Sequence, residues 1–223
     1  MPSALLHPDP AREIARGSER LVFTLEQHPD LLLKILKPKH LRRLQGAQEQ
    51  SWRGWFRIRQ TYGLYRREQK AWTDAMMRAS VRRIPPPVAG IADFVLTPNG
   101  LAQLVEHIRA KDGHTAPTLH ALLEQGPLTR EQMEALNAFV AALYDWHIPA
   151  YDLGPKNIVW QDSQARFVLV DGFGDRAAVP LVTWFKKLNA WKLDQSFAVT
   201  AQKCPLIWQR AQRRFDPLPR SSS

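Results

Sequence analysis

The order of apolar patterns along the sequence predicts an α+β fold with two lobes. In the first half, short apolar runs bounded by turn residues predict strands, with one helix-like stretch between them. In the second half, apolar residues recur mainly at helical spacing, interrupted by one further pair of strands. Strands, helix, strands, helices, one hairpin and helices in this order are typical of an α+β arrangement.

The first half predicts two hairpins separated by a helix. The runs "LVFTL" (Leu21–Leu25) and "LLLKIL" (Leu31–Leu36) are joined by "EQHPD", whose residues favour a turn. From about Trp52 to Ala79 the apolar spacing becomes helical. The segment "FVLTPNGLAQLVE" then predicts two strands around Asn99–Gly100, because both of these residues tolerate a positive φ. The extended connector "IPPPV" separates this second hairpin from the helix.

The second half predicts helices around one more hairpin. Thr129 and Gln132 have the spacing of a capping box that opens a helix, and Pro149 ends it. The apolar positions of this helix are Met133, Leu136, Val140 and Leu143. The strands "NIVW" and "RFVLV" follow, and the last fifty or so residues are expected to be helical and rich in tryptophan. The tail "PRSSS" is predicted to be disordered.

Composition limits the classes of function. The 223 residues are 44% apolar, which is enough for a real core. The single cysteine, Cys204, excludes an internal disulfide and a cysteine-based zinc site. A net charge of +10 predicts an anionic partner, such as a nucleotide, a nucleic acid, a phosphorylated sugar or an acidic membrane surface; a merely solvated basic surface is the alternative. No N-terminal stretch has the length of a signal peptide or membrane span, which predicts a soluble cytoplasmic protein.

Two charged residues are predicted to face inward. On a strand, Lys34 shares a face with Leu32 and Leu36, and a lone ammonium there needs a negative partner. Glu68 occupies the missing step of an apolar helical stripe, so its carboxylate needs a cation. A Lys34–Glu68 pair would explain both. The alternatives are an edge-strand lysine that reaches water, and a glutamate that pairs with basic residues on its own helix.

Three residues with oxygen-bearing side chains follow in "YDLGPKNIVW" and "LVDGFGD". Asp171 ends an apolar strand and precedes a glycine, and Asn157 heads the strand that we expect to pair with it. These two side chains could therefore converge on one Mg²⁺ ion, which prefers oxygen ligands. Asp152 lies five residues before Asn157, with a Gly–Pro turn between them, and could contact a substrate hydroxyl instead. The alternative for each residue is turn chemistry, in which Asp and Asn cap backbone N–H groups.

The order of these motifs resembles that of the protein-kinase fold. It comprises Gly17 in "IARGSERLVF", Lys34 in "LLLKIL", Glu68 on a helix, and then "LVEHI", "DLGPKN" and "DGFG". More specifically, "IPPPVAGIADFVLTPNGLAQLVEHIRAKDG", "YDLGPKNIVW" and "LVDGFGD" resemble the PhoP regulatory network protein (YrbL-like) family, which belongs to the kinase-like superfamily. The resemblance runs from about residue 14 to residue 175.

The resemblance implies a two-lobed protein kinase-like fold. Residues 1–107 would form a small β-rich N-lobe with nucleotide-covering hairpins and one long helix. Residues 108–223 would form a shortened helical C-lobe with the catalytic loop, the metal-binding turn and C-terminal helices. The implied activity is ATP- and Mg²⁺-dependent phosphoryl transfer.

Each motif residue takes an implied role from the resemblance. Lys34 would hold the α- and β-phosphates of ATP, with Glu68 anchoring it. The nucleotide-binding residues would be Gly17, Ser18, Lys34, Glu106 and Ile108, the last two through backbone hydrogen bonds to adenine. Asp152 would orient or deprotonate the acceptor hydroxyl, and Asn157 and Asp171 would hold Mg²⁺. Asp152, Lys34 and Glu68 would thus form the catalytic set.

Departures from the protein-kinase pattern bear on the substrate. The phosphate loop has only Gly17 where that pattern has three glycines, and Arg20 stands near the place of a later one. Ala150 and Tyr151 precede Asp152 in place of a His–Arg pair, and "DGFG" has an additional glycine. The chain also ends soon after Asp171, which argues against a docked peptide. A small-molecule or lipid-linked hydroxyl is therefore the expected acceptor, and a nucleotide-binding regulator without turnover is the alternative.

A third interpretation, less favoured, is binding to nucleic acid. "KPKHLRR" (Lys37–Arg43) and "RGWFRIRQTYGLYRR" (Arg53–Arg67) mix basic and aromatic residues, a composition suited to phosphate contact and base stacking. No known nucleic-acid-binding motif occurs, and a basic helix face with aromatic residues buried behind it explains the pattern as well. A weak contact with an anionic surface is also expected from the charge.

Overall fold

The computed structural model describes residues 6–175 and 186–218. In these residues a five-stranded antiparallel sheet, two small hairpins and six α-helices occur together, which confirms the predicted α+β class. The tail that was predicted to be disordered, residues 219–223, lies outside the described ranges. Within them, no helix has the length and apolarity that crossing a membrane requires.

The chain divides into two compact units. The first comprises Met1–Arg66 with Gly90–His107, and the second comprises Arg67–Ala89 with Ile108–Ser223. The lobes predicted from the resemblance, 1–107 and 108–223, stay a prediction.

The first unit is built on the five-stranded sheet. Its strands are β1 (Glu13–Arg16), β2 (Arg20–Thr24), β3 (Leu31–Leu36), β4 (Ile91–Thr97) and β5 (Gly100–Glu106). They lie in the order β1-β2-β3-β5-β4, and every neighbouring pair is antiparallel. Both predicted hairpins are confirmed, as β2–β3 and β4–β5. One sheet face forms a core cluster of Phe23, Leu33, Ile35 and Ala102, as strand alternation requires.

The turn of the β4–β5 hairpin depends on one glycine. Gly100 has the positive φ, +90°, that the sequence predicted for it. The predicted position of the turn, Asn99–Gly100, is wrong by one residue, because Gly100 pairs with Thr97 and the two turn residues are Pro98 and Asn99. An added Cβ at Gly100 would lie 2.6 Å from the hydroxyl of Tyr62. That hydroxyl accepts the N–H of Leu101 at 3.2 Å, so the turn is fixed from outside as well as by its own sequence.

The long helix predicted between the hairpins is two helices. After the short α1 (Pro38–Leu41) come α2 (Trp52–Thr61) and α3 (Gly63–Arg82), with a break at Tyr62. Tyr62 leaves helical geometry with φ −94° and ψ 16°, and its side chain turns to the β4–β5 hairpin. The apolar spacing continues across the break, which is why periodicity alone did not reveal it.

The second unit contains helices and two small hairpins. Its further elements are α4 (Leu119–Gln125), α5 (Arg130–Asp145), β6 (Ile158–Gln161), β7 (Arg166–Leu169), α6 (Lys186–Gln202), β8 (Leu206–Gln209) and β9 (Arg214–Pro217). The pair β6–β7 is the predicted hairpin "NIVW"/"RFVLV". The capping box is confirmed, since the Thr129 side chain accepts the N–H of Gln132 and the Gln132 side chain accepts the N–H of Thr129.

The expectation that the last fifty or so residues are helical is wrong for their final part. After α6, strands β8 and β9 form an antiparallel hairpin. Trp208 and Phe215 face each other on it, with ring centroids 5.0 Å apart, and both contact Phe197 of α6. Aromatic pairs of this kind stabilise the pairing of neighbouring strands. Trp208, which the sequence analysis assigned to a helix, therefore lies on a strand.

Helix α5 ends in a Schellman motif without glycine. Ile148 N–H donates to the carbonyl of Leu143 at 3.2 Å, and His147 N–H donates to the carbonyl of Tyr144 at 3.1 Å. His147 takes the left-handed conformation, with φ +51°, that glycine usually fills. Pro149 follows and leads into the chain segment that carries Asp152. The direction of that segment is therefore set by the end of α5.

The backbone conformation at His147 gives a stability prediction. His147→Gly and His147→Ala both remove the imidazole, but only glycine is relieved of left-handed strain. The glycine variant should therefore be more stable than the alanine variant by about 1 kcal/mol in urea unfolding. Equal free energies of unfolding would show that the left-handed residue is not under strain.

Candidate functional site

Lys34 lies in the middle of the sheet. Its strand, β3, runs between β2 and β5, and Lys34 pairs with Val22 on one side and Gln103 on the other. Lys34 is buried, with 5% of its surface exposed. The alternative of an edge-strand lysine that reaches water is therefore wrong. A buried ammonium must be offset by negative or polar groups, as the sequence predicted.

Two further polar residues share the sheet face of Lys34. Gln103 is 0% exposed, and its Oε1 accepts a hydrogen bond of 3.3 Å from Nη1 of Arg20. Arg20 is also buried, and it alternates with Val22 along β2, so it points to the same side as Lys34. This face thus carries two buried cations. Sequence reasoning noted Arg20 only as a departure from a glycine-rich loop. Its position two residues before Val22 on a strand could have indicated that both side chains point to the same face.

Glu68 is buried as its place in the helical stripe predicts. It is 1% exposed on α3, three residues after Tyr65 and therefore on the same helix face. Tyr65 is itself buried, and its hydroxyl donates to the carbonyl oxygen of Lys34 at 2.9 Å. The beginning of α3 is thereby tied to the backbone of β3 at Lys34. The pairing of Lys34 with Glu68 stays a prediction.

The segments that carry Asp152 and Asp171 are joined through their backbones. The carbonyl of Gly172 accepts the N–H groups of Tyr151 at 2.9 Å and Asp152 at 3.2 Å. Gly174 N–H donates to the carbonyl of Pro149 at 2.7 Å, so the two segments run side by side as an irregular ladder. Asp152, which is exposed, and the neighbour of Gly172, Asp171, are held close together by these bonds.

The glycines of "DGFG" permit this close approach. Gly172 has φ +80°, and an added Cβ would lie 2.5 Å from the carbonyl oxygen of Asp152. Gly174 has φ +103°, and its Cβ would lie 2.8 Å from the carbonyl oxygen of Arg67. Real Cβ atoms do not come so near to backbone oxygen. The additional glycine that distinguishes this chain from the protein-kinase pattern is therefore required by the local packing.

Asn157 connects both segments. Its Nδ2 donates to the carbonyl of Asp152 at 3.1 Å, and its own carbonyl accepts the N–H of Val170 at 2.9 Å. The Asp152 carboxylate in turn accepts the N–H of Gly154 at 3.1 Å, and Asp171 accepts the N–H of Gly172 at 2.6 Å. Turn chemistry, the alternative raised for each residue, is thus present. These hydrogen bonds hold the three side chains in place.

The donor set is compatible with a hard cation. With Nδ2 of Asn157 engaged at Asp152, its amide oxygen is the atom that can turn to a metal, and a carboxylate offers two oxygens. In residues 6–175 and 186–218, no group of three or more His, Cys, Asp or Glu side chains could hold a metal ion. An ion at Asn157 and Asp171 would therefore need further oxygen ligands from phosphate or water, as Mg²⁺ sites commonly do.

The other predicted nucleotide-binding residues lie at the turns of the first unit and at its boundary. Gly17 and Ser18 are exposed in the β1–β2 turn, where Gly17 N–H donates to the carbonyl of Arg20 at 3.0 Å. At the end of β5, the N–H of Glu106 donates to the carbonyl of Gly90. The carbonyl of Ile108 accepts the N–H of Ala116. The backbone of Glu106 and Ile108, to which the resemblance assigns adenine, thus lies at the end of β5 and directly after it.

The second unit also contains a cavity of about 380 Å³ that none of the predicted site residues lines. Its polar wall includes Lys186, Arg213 and Tyr144, whose hydroxyl donates to Asp194 at 2.5 Å. Burial, and then this hydrogen bond, raise the pKa of Tyr144. Burial and the nearby Lys186 lower the pKa of His147, another wall residue, which favours its neutral form. Sequence reasoning missed this cavity because its residues come from separate elements.

Cys204 does not contribute nucleophilic chemistry at neutral pH. It follows α6 as a free cysteine, and burial raises the pKa of its thiol to about 11. The thiolate is the nucleophilic form, so a thiol with this pKa is almost wholly protonated near pH 7.

Comparison with known families assigns the chain. The family model described as PhoP regulatory network protein YrbL matches residues 9–205. Because this span covers most of the 223 residues, the chain belongs to that family. The span includes every predicted site residue, from Gly17 to Asp171. A search of curated proteins gave no match.

The close approach at Gly172 can be tested against a matched glycine. Gly46 has a similar φ of +69°, but an added Cβ there meets nothing within 4 Å. We expect Gly46→Ala to lower the free energy of unfolding by about 1 kcal/mol, the cost of the backbone conformation. Gly172→Ala should cost more, roughly 3 kcal/mol, because the Asp152 segment must also move away.

Hydrogen exchange at Tyr151 and Asp152 provides the local readout of the same experiment. Both amides should exchange faster in Gly172→Ala than in the wild type, because this substitution separates them from their acceptor, the carbonyl of Gly172. In Gly46→Ala their exchange rates should be unchanged. Equal costs for the two variants would contradict the close packing.

Proposed function

We propose that this protein is an ATP- and Mg²⁺-dependent phosphotransferase with a protein kinase-like fold, acting on a small-molecule or lipid-linked hydroxyl. The observation that carries the proposal is the backbone ladder between the two segments that bear Asp152 and Asp171. It gathers Asp152, Asn157 and Asp171, the three residues of the implied chemistry, within the second unit.

The surroundings of Lys34 support the nucleotide half of the proposal. In protein kinases the phosphate-binding lysine lies on the third strand and its glutamate on the following helix. Lys34 lies on β3 and Glu68 on α3, and both are buried. We propose that Lys34 contacts the α- and β-phosphates with Glu68 as its carboxylate partner. Arg20, on the same sheet face as Lys34, adds a second cation that a polyphosphate would offset.

The remaining nucleotide contacts follow the resemblance. Gly17 and Ser18 would cover the phosphates, and the backbone of Glu106 and Ile108 would bind adenine. Mg²⁺, held by Asn157 and Asp171, would neutralise charge on the phosphate oxygens. The chain's own part is to fix these two ligands, which it does through the bonds of Asn157 to the Asp152 segment and to Val170.

In the proposed reaction the acceptor hydroxyl oxygen attacks the γ-phosphorus of ATP. The bond from that phosphorus to the bridging oxygen breaks, ADP leaves with the electron pair, and the hydroxyl proton passes to the Asp152 carboxylate. Asp152 suits this role because it is exposed, while its position is fixed by its own N–H and by Gly154. A carboxylate so placed can reach a proton on an incoming substrate.

The first test is ATP binding by calorimetry with and without Mg²⁺. Asp171→Ala should weaken Mg²⁺-dependent binding about tenfold, or 1.4 kcal/mol, because one carboxylate ligand is lost. Asp93→Ala is the matched control, since the Asp93 carboxylate also accepts the N–H of the next residue, at 2.7 Å, but lies in β4. It should bind as the wild type does. Absence of ATP binding by the wild type, both with and without Mg²⁺, would contradict the proposal.

The second test separates binding from chemistry. Asn can replace the acceptor oxygen that Asp152 offers to Gly154, so Asp152→Asn should keep its fold and its ATP affinity. Without a proton acceptor, ADP release stimulated by an acceptor hydroxyl should fall by about 10²- to 10⁴-fold. The assay uses a panel of small alcohols, sugars and lipid-linked saccharides. An unchanged rate would remove Asp152 from the mechanism, and binding without turnover by the wild type would favour a nucleotide-binding regulator.

A further inference from the structure

Helix α2 carries an apolar face that points into solvent. Trp52 is 73% exposed, Trp55 is 54% exposed and Phe56 is 56% exposed. Their spacing of three and four residues places them on one side of the helix. The expectation that the aromatic residues of this segment are buried behind a basic face is therefore wrong for these three. Large aromatic side chains that stand together in water are a common mark of an interaction site.

The opposite side of α2 is fixed against the first unit. Gly54 is buried, and a Cβ added to it would lie 1.9 Å from the carbonyl oxygen of Gln48. The helix backbone thus lies directly on the preceding segment. Nη2 of Arg57 also donates to the carbonyl of Gly46 at 3.2 Å. Since only glycine fits at position 54, the helix cannot turn its aromatic face inward without losing this packing.

The surroundings of this face are strongly basic. Residues 37–61 contain seven lysines and arginines and one glutamate, a formal charge of +6 in a chain whose total is +10. The 3-10 helix Arg42–Leu44 packs against α2, and Arg42 and Arg43 in it are exposed. Arg53 and Arg59 on α2 are exposed as well. More than half of the net charge of the protein therefore lies on α2 and on the segment that directly precedes it.

We propose that α2 docks the protein on a lipid bilayer with anionic headgroups. Trp52, Trp55 and Phe56 would enter the interface between headgroups and acyl chains, where aromatic rings are favoured, and the arginines would contact lipid phosphates. The basic segment around Arg42 supplies the electrostatic part of the attraction. The inference goes beyond the proposed phosphotransferase and does not depend on it.

The arrangement favours a bilayer over single-stranded nucleic acid. Bases need aromatic ring faces on which to stack. The guanidinium of Arg53 lies 5.2 Å from the ring centroid of Trp52 and covers one face of that ring. The three exposed aromatic side chains lie on one side of a single helix, which matches insertion into an interface.

The experiment is cosedimentation of the full chain with phosphatidylcholine vesicles, with and without phosphatidylglycerol. We expect binding that requires phosphatidylglycerol and weakens with salt. The triple variant Trp52→Ala, Trp55→Ala, Phe56→Ala should lose at least about tenfold in affinity, because the inserted apolar surface is gone. Its urea midpoint should be unchanged, since these side chains are exposed. Trp191→Ala, which removes a tryptophan that is 50% exposed on α6, is the matched control and should bind normally.

A second readout places the contact on α2. Brominated lipids should quench part of the tryptophan fluorescence in the wild type and in Trp191→Ala, and none of it in the triple variant. Equal vesicle binding by the triple variant and the wild type would overturn the proposal, as would absence of binding to anionic vesicles. Binding to single-stranded poly(U) that only the triple variant loses, without vesicle binding, would assign the surface to nucleic acid instead.

Discussion

The carbonyl group of Gly172 is the central link between the two segments in which chemistry is expected. Two successive amides, those of Tyr151 and Asp152, donate to it. This arrangement demands that two backbones run almost in contact, which only a residue without Cβ allows. The Asp152 segment is delivered to this place by the left-handed end of α5 at His147, and the Asp171 segment by β7. Side-chain position at the site is thus a consequence of backbone packing.

Features that depend on nearby residues could be predicted from the sequence. The capping box at Thr129 and the β4–β5 hairpin are set by residues within four positions, and both were predicted, the turn of the hairpin with an error of one residue. The burial of Glu68 could be predicted because helical spacing relates it to apolar neighbours. The sequence also indicated that Lys34 lies on an inward face. It could not decide between an edge and a central strand, because that depends on where β5 inserts.

The misses have a common cause in tertiary contacts. Trp52, Trp55 and Phe56 have the spacing of a core stripe, and periodicity identifies such a stripe without saying which way it faces. The direction is decided by Gly54 and the backbone of Gln48, whose contact no local rule reports. Likewise, the β8–β9 hairpin is stabilised by the packing of Trp208 and Phe215 on Phe197 of α6. Because this contact joins residues distant in sequence, the local pattern did not reveal the two short strands.

The insertion of β5 between β3 and β4 also governs the order in which the protein can fold. As the chain leaves the ribosome, β1, β2 and β3 can pair at once, because they are consecutive in sequence. The second edge of β3, "LLLKIL", then waits unpaired until residues 100–106 have been made. An apolar strand with an open edge is a template for aggregation. Nascent chains that stall after β3 and before β5 would therefore expose a strand edge that can pair with another chain. Lys34 is the one charged residue of "LLLKIL", and its ammonium group opposes such self-pairing.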